Sequence, residues 1–255
     1  MIRRGAPPDG YLRLDLPHAS AVVRAEHAMA LRHLLGAGAG TTLHDWAAST
    51  PDARPLRGRG VAWSAALPGG AGRLVVRHNR HGGLLAGLTG DRFLAPTRAP
   101  YELDVALRLA AAGVETPEVI AYVLYPASPF GVLARSDVAT REVPRAHDLG
   151  AVLTTLAADD PVRRAAIGAS AALVNALSRA GARHHDLNVK NVLLTGTAGD
   201  PRALVLDVDR VTFHRPGDRR VQAANVARLL RSIRKYERLR GVAITPEEIS
   251  ILGTQ

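Results

Sequence analysis

The chain has 255 residues, 47% of them hydrophobic, no cysteine and a formal net charge of +10. That length and apolar content suit one domain or two closely packed lobes and exclude a disordered chain. The lack of cysteine excludes disulfides, thiolate zinc sites and a cysteine nucleophile, so no oxidising compartment is required and the cytosol is the default expectation.

Lys190 and Lys235 are the only lysines, so the positive charge is almost wholly arginine. An arginine- and alanine-rich coding background explains this equally as well as an anionic partner does. Aromatic residues make up 4%, which speaks against base stacking, and no nucleic-acid partner is expected. Met1 to Pro8 carries charge without an apolar run behind it, so no signal peptide is expected. No stretch approaches the roughly 20 apolar residues of a membrane span.

In chain order, residues 1–55 read poorly. Arg24 to Leu35 suggests a helix with Leu31, Leu34 and Leu35 on one side, ended by Gly36 to Gly40. Val61–Leu67 and Arg73–His78, joined by the turn Pro68-Gly69-Gly70-Ala71-Gly72, predict a β-hairpin. Asn79-Arg80-His81-Gly82-Gly83 follows as a basic loop. Pro100 to Leu109 reads as a helix, with Pro100 in its first turn and Gly113 closing it. Val119–Leu124 and Gly131–Ala134 predict strands, and a polar link spans Arg141 to His147. Beyond it the pattern turns helical: Asp148–Ala157, Val162–Ala180 and Asp218–Arg240, the last with Val221, Val226, Leu229, Leu230 and Ile233 on its apolar face. Short strands are predicted at Val192–Leu194 and Ala203–Leu206. This divides the chain into an N-terminal extension with a β-rich lobe, residues 1–140, and a helical lobe, residues 141–255.

The strongest chemical signal is His184-His185-Asp186-Leu187-Asn188-Val189-Lys190-Asn191, set between a helix and a strand. Phosphoryl transfer needs a carboxylate to orient the attacking hydroxyl and accept its proton, and an oxygen ligand for the metal that bridges the phosphates. Asp186 suits the first role and Asn191 the second. Leu204-Val205-Leu206 then ends in Asp207, a place for a second metal ligand, while Asp209 suits a loop-holding role. Glu102, on the helix after the hairpin, is the candidate to pair with a strand cation that holds ATP phosphates. With no lysine among the first 189 residues, Arg77 is the substitute, since its fork also binds phosphate. Gly58-Arg59-Gly60 either brings backbone close to phosphates through Gly58 and Gly60 or is a plain turn. His78, Arg80 and His81 either hold an anionic acceptor or belong to a solvated basic loop. His184 reads as a structural loop residue.

Taken together these stretches resemble bacterial 3-deoxy-D-manno-octulosonic acid (Kdo) kinases of the lipopolysaccharide core kinase family. The resemblance rests on Val75-Val76-Arg77-His78 to Gly82-Gly83, Thr97-Arg98-Ala99, and Gly113-Val114-Glu115-Thr116-Pro117-Glu118-Val119-Ile120-Ala121. It continues through the loop at 184–194 with Asn188 in place of the usual kinase lysine, Asp207-Val208-Asp209-Arg210, and Asn225 to Lys235. Val208 stands where the family carries an aromatic residue, and His81 precedes Gly82 where arginine is usual. The resemblance implies an α+β, protein-kinase-like, two-lobed fold, with ATP and Mg2+. It implies phosphorylation of the 4-hydroxyl of Kdo on a lipid A precursor, at the cytoplasmic face of the inner membrane. By position it makes Asp186 the catalytic base and Asn191 and Asp207 the metal ligands. The residues alone leave open a related kinase with a heptose, small-molecule or protein-serine acceptor, and a non-catalytic basic binding protein.

Overall fold

Alternating apolar and polar residues build an antiparallel sheet in the first half of the chain. The structure, a computed structural model, describes residues 6–36, 41–57, 61–70, 72–79, 93–94, 97–128 and 133–253. The strands are β1 (Tyr11–Leu16), β2 (Ala19–Arg24), β3 (Arg54–Arg57), β4 (Val61–Ala66), β5 (Arg73–His78), β6 (Phe93–Leu94), β7 (Val119–Pro126) and β8 (Leu133–Arg141). They lie in the order β1-β2-β7-β8-β5-β4-β3, with β6 also pairing β8, and every pairing is antiparallel. The predicted hairpin is β4–β5, and β8 runs on to Arg141, into the stretch expected to start a polar link.

Helices α1 (Ala28–Gly36) and α2 (Leu43–Ser49) pack on this sheet. A 3-10 turn over Ala25–His27 precedes α1, so the predicted helix from Arg24 begins later as an α-helix. Leu14, Val23, Leu31, Leu43, Leu74, Val76, Ile120 and Val123 form the buried core. Helix α2 starts with a reciprocal cap between Thr42 and Asp45, which satisfies two otherwise orphan backbone donors. Helix α3 (Arg98–Ala111) carries Glu102.

The second half of the chain contains β9 (His147–Asp148), α4 (Leu149–Thr155), α5 (Pro161–Arg179), β10 (Ala182–His184), β11 (Val192–Thr197), β12 (Asp200–Val205), β13 (Val211–Phe213), α6 (Arg219–Arg240) and α7 (Pro246–Gly253). Aspartates cap three of the helices: Asp148 accepts from Ala151 N, Asp160 from Val162 N and Asp218 from Arg220 N. Pro161 occupies the first turn of α5, where its missing N–H costs nothing. Ile167, Leu173, Val174 and Leu177 of α5 are buried, as are Leu187, Val189, Val192, Val205, Leu229 and Ile233. Two small sheets frame the loop at 184–191, β10-β13 and β12-β11-β9.

The chain divides into two compact units, each discontinuous in sequence. One comprises Met1–Leu103 and Glu118–Glu142, the other Asp104–Pro117 and Val143–Gln255. The helical unit thus also takes in the second part of α3 and the segment after it. Within that unit Thr116 Oγ1 donates to Val205 O at 2.9 Å and Val205 N to Glu115 O at 3.0 Å.

Candidate active site

In the helical unit the 184–191 loop is held by hydrogen bonds from below and from within. His184 is buried. Its backbone N–H donates to Asn225 Oδ1 at 3.0 Å, and Asn225 Nδ2 donates to Ala182 O at 2.9 Å. Asn225 lies fully buried on the core face of α6, in register with Val221, Leu229 and Ile233. A lone amide in that apolar four-residue spacing is the sequence signal that would have marked it as an anchor.

The His184 ring bridges the loop to the strand leading to Asp207. Nε2 lies 2.9 Å from Leu206 O, and Nδ1 accepts from Asp186 N at 3.1 Å. One nitrogen therefore donates and the other accepts, which requires the neutral imidazole. Burial holds its pKa below the usual histidine value, against the pull of Asp207, Asp186 and Asp209. Because the folded pKa is depressed, the unfolded chain binds the proton first. Stability is then full above the unfolded value of about 6.5 and falls as pH drops below it, down to the folded pKa. The melting temperature is expected to fall between pH 7.5 and pH 5.5. The His184→Gln variant, less stable at pH 7.5, should show a smaller fall, and an equal slope in both proteins would contradict the neutral-histidine bridge.

Asp186 sits at the turn. Its backbone carbonyl accepts from Asn188 Nδ2 at 2.9 Å and from Asn191 Nδ2 at 2.8 Å. Asn188 Oδ1 in turn accepts from Lys190 N, and Val189 N donates to Ser232 Oγ on α6. With Asn191 Nδ2 committed to this bond, its Oδ1 is the atom that could meet a cation. Arg228, from α6, donates to Asp186 Oδ1 at 2.6 Å. No pairing of Asp186 was expected from the sequence, because Arg228 lies 42 residues further on.

Asp207 has φ 54° and ψ 47°, the left-handed region. Aspartate tolerates it better than most residues but still at a cost, about 1 kcal/mol or more. The conformation lets β12 run straight into a 3-10 turn at Val208–Arg210. Leu206 N donates to Asn191 O at 2.9 Å, tying the approach to Asp207 onto the loop. Among the described residues no group of three or more histidine, aspartate or glutamate side chains could hold a metal ion alone. One amide oxygen and one carboxylate, completed by substrate phosphates and water, is instead a donor set that suits Mg2+.

In the β-rich unit, Arg77 of β5 donates through Nη2 to Glu102 Oε1. The Glu102 side chain is 4% exposed and that of Arg77 30%. The pair thus joins a strand cation to a helix carboxylate. His78 is otherwise engaged. Its Nδ1 lies 2.6 Å from Asp137 Oδ1, and the fully buried Asp137 also accepts from His44 N and Tyr125 OH. Burial raises the Tyr125 pKa well above the ordinary tyrosine value, and the Asp137 charge adds to this, so the phenol remains a donor. The His78 ring thus serves the anchoring of α2. Gly58, Gly60, Arg80 and His81 lie outside the described residues.

An antiparallel β-rich unit with a strand–helix ion pair, and a helical unit with this loop, define a protein-kinase-like phosphotransferase. The chain belongs to the lipopolysaccharide kinase (Kdo/WaaP) family, whose sequence model matches residues 44–249. It is 28% identical over 194 residues to a 3-deoxy-D-manno-octulosonic acid kinase of Vibrio parahaemolyticus serotype O3:K6, covering 74% of this chain and 76% of that protein. It is 30% identical over 201 residues to the enzyme of the same name from Vibrio cholerae serotype O1, covering 77% and 80%. The fold is similar to a solved structure of WaaP in complex with acyl carrier protein, with TM-score 0.54, 19% identity and coverage of 88% and 86%.

Proposed function

We propose that this protein is an ATP-dependent sugar kinase that phosphorylates the 4-hydroxyl of Kdo on a lipid A precursor during lipopolysaccharide core biosynthesis. The observation that carries this reading is the loop at 184–191, built around Asp186, in a chain akin to curated Kdo kinases. Asp186 orients the acceptor hydroxyl and takes its proton. The new O–P bond forms as the bond to the β–γ bridging oxygen of ATP breaks, and ADP leaves. Asn191 and Asp207 hold Mg2+, which when bound neutralises charge on the phosphates. Arg77, oriented by Glu102, holds ATP phosphates, and Gly58 and Gly60, which lie outside the described residues, contact the nucleotide.

The acceptor is an anionic glycolipid, so the protein works at the cytoplasmic surface of the inner membrane. No helix among the described residues is long and apolar enough to cross a membrane, and helix α6 supports surface attachment. Arg231, Arg234, Lys235 and Arg238 are exposed and spaced at i, i+3, i+4 and i+7, which puts them on one face. Each basic residue near anionic lipid contributes about 1 kcal/mol.

The test is incubation of purified protein with labelled ATP, Mg2+ and a Kdo-bearing lipid A precursor. Label should appear on the lipid at the Kdo 4-position. Absence of label, or label elsewhere on the glycolipid, would overturn the acceptor assignment. Arg77→Ala is expected to raise the KM for ATP at least tenfold, and Arg77→Lys to raise it less, because a cation remains but the fork is lost. An unchanged KM for ATP in Arg77→Ala would remove Arg77 from the nucleotide site.

A further inference from the structure

Strands β10 and β13 form a two-stranded ribbon with the register Ala182↔Phe213, Arg183↔Thr212 and His184↔Val211. Side chains alternate between its faces. Ala182, His184 and Val211 are buried, while Arg183 and Thr212 are exposed directly opposite each other. His185 and His214, each two residues beyond one of that pair, are exposed as well. The two imidazoles converge on one hydroxyl: Thr212 Oγ1 lies 2.9 Å from His185 Nε2 and 3.3 Å from His214 Nε2. A hydroxyl has a single proton to give, so at least one of these rings must donate to it.

The ribbon is firmly built. His214 N donates to Gly181 O at 2.8 Å, and His185 N to Arg210 O at 3.0 Å. Gly181 has φ +68°, and a Cβ there would collide with the His214 carbonyl oxygen. Only glycine therefore fits at this crossing. Among the described residues none of Arg183, His185 and His214 is ion-paired with a carboxylate. Desolvation, and after it the neighbouring basic groups of Arg183, His214 and Arg228, hold the His185 pKa below the usual histidine value. This cationic face leads directly into Asp186, the next residue after His185, whose carboxylate Arg228 grips at 2.6 Å. Apart from Asp186, the phosphotransfer chemistry above uses none of these residues.

We propose that Arg183, His185 and His214, arranged around Thr212 and flanked by Arg228, form a site for an oxyanion of the acceptor, a carboxylate or a phosphate monoester. Anchoring that anion sets the acceptor hydroxyl against Asp186. The proposal rests on the phosphotransfer reading of Asp186 and adds how the acceptor is recognised. Guanidinium and imidazole N–H groups give an oxyanion short charge-assisted hydrogen bonds. Two histidines and an arginine in one place, none of them ion-paired with a carboxylate among the described residues, favour a ligand that brings the negative charge.

Steady-state kinetics with the Kdo-bearing lipid A precursor test this in Arg183→Gln, His214→Gln and the double variant. The KM for the acceptor should rise at least tenfold in the double variant while the KM for ATP stays within about twofold. An unchanged acceptor KM, or an equal rise in both constants, would overturn the site. Two modified acceptors separate the anions: a carboxyl methyl ester should raise the wild-type KM if the carboxylate is bound, a dephosphorylated lipid if the phosphate is. Wild-type kinetics indifferent to both would also overturn it. Imidazole NMR of the full chain, titrated with inorganic phosphate and with acetate, provides a readout independent of the acceptor. The His185 and His214 signals should move with at least one anion in the wild type and not in Arg183→Gln. If they move while the Kdo lipid is not phosphorylated, the acceptor reading fails and the anion site stands. If neither anion moves them, the site falls whatever the acceptor is.

Discussion

Asp186→Ala is expected to lower kcat by about 10³-fold, within the 10²–10⁴ range of positioned general bases, and to leave ATP affinity within about twofold. The split follows from construction. The backbone of residue 186 is fixed by side chains other than its own: Asn188 and Asn191 donate to its carbonyl, and His184 Nδ1 accepts from its N–H. Removing the carboxylate therefore leaves the loop, and with it Asn191, in place. What is lost is the group proposed to orient and deprotonate the hydroxyl. Arg228 is coupled to this carboxylate through a 2.6 Å contact. Arg228→Ala alone should lower kcat by about tenfold, and the double variant should be no slower than Asp186→Ala, because residues acting as one unit are not additive. Single-turnover rates with saturating ATP, alongside nucleotide binding by calorimetry, make the measurement. A fall in kcat under tenfold for Asp186→Ala would remove it from the base role.

What the sequence shows of this site depends on how local each feature is. Asp186, Asn191 and Asp207 lie within 22 residues, and their spacing is itself the signal. Asn225 and Arg228 act on the same loop from α6, and nothing in their own neighbourhood announces it except an amide on an apolar face. Arg77 and Glu102 were legible as a pair only through the chemistry that a strand cation must serve. His78 shows the opposite case. Beside Arg80 and His81 it reads as part of a basic loop, yet its ring turns to a buried aspartate 59 residues away. Alternation on a strand decides such things, and a string of basic residues does not reveal which face each takes. The fold class and the hairpin were legible, as were the long helices. Strands β1 and β2 were not read, although Leu12-Arg13-Leu14-Asp15-Leu16 alternates apolar and polar residues; the alternation does not follow burial, since only Tyr11 and Leu14 of β1 are buried. Helix α7 was not, because it is short and its anchor is distant.

That anchor yields the largest expected effect on stability. Arg163 of α5 and Glu248 of α7 are 85 residues apart and both buried. Arg163 Nε and Nη2 donate to the two carboxylate oxygens of Glu248 at 2.7 and 3.0 Å. Nη1 donates to Leu153 O and Leu156 O, and Nη2 also to Ala243 O. All five guanidinium N–H groups are thus used, the condition under which a buried cation is tolerated. Glu248 closes the arrangement locally: Oε2 accepts from Thr245 N, and Glu248 N donates to Thr245 Oγ1, capping α7. Arg163→Met keeps the length and apolar stem but leaves a buried carboxylate and three carbonyls without their donor. The expected cost is about 3–5 kcal/mol, a fall in melting temperature of roughly 6–20 °C for a chain of this size. Glu248→Leu should cost a similar amount. The double variant should cost clearly less than the sum, since it removes the orphaned charge as well as the bond. Raising the salt concentration should leave the wild-type difference nearly intact, because a buried pair is little screened. Additive single-variant losses, or a loss under 1 kcal/mol for Arg163→Met, would mean that the guanidinium is replaced by water and that α7 is held by its apolar contacts alone.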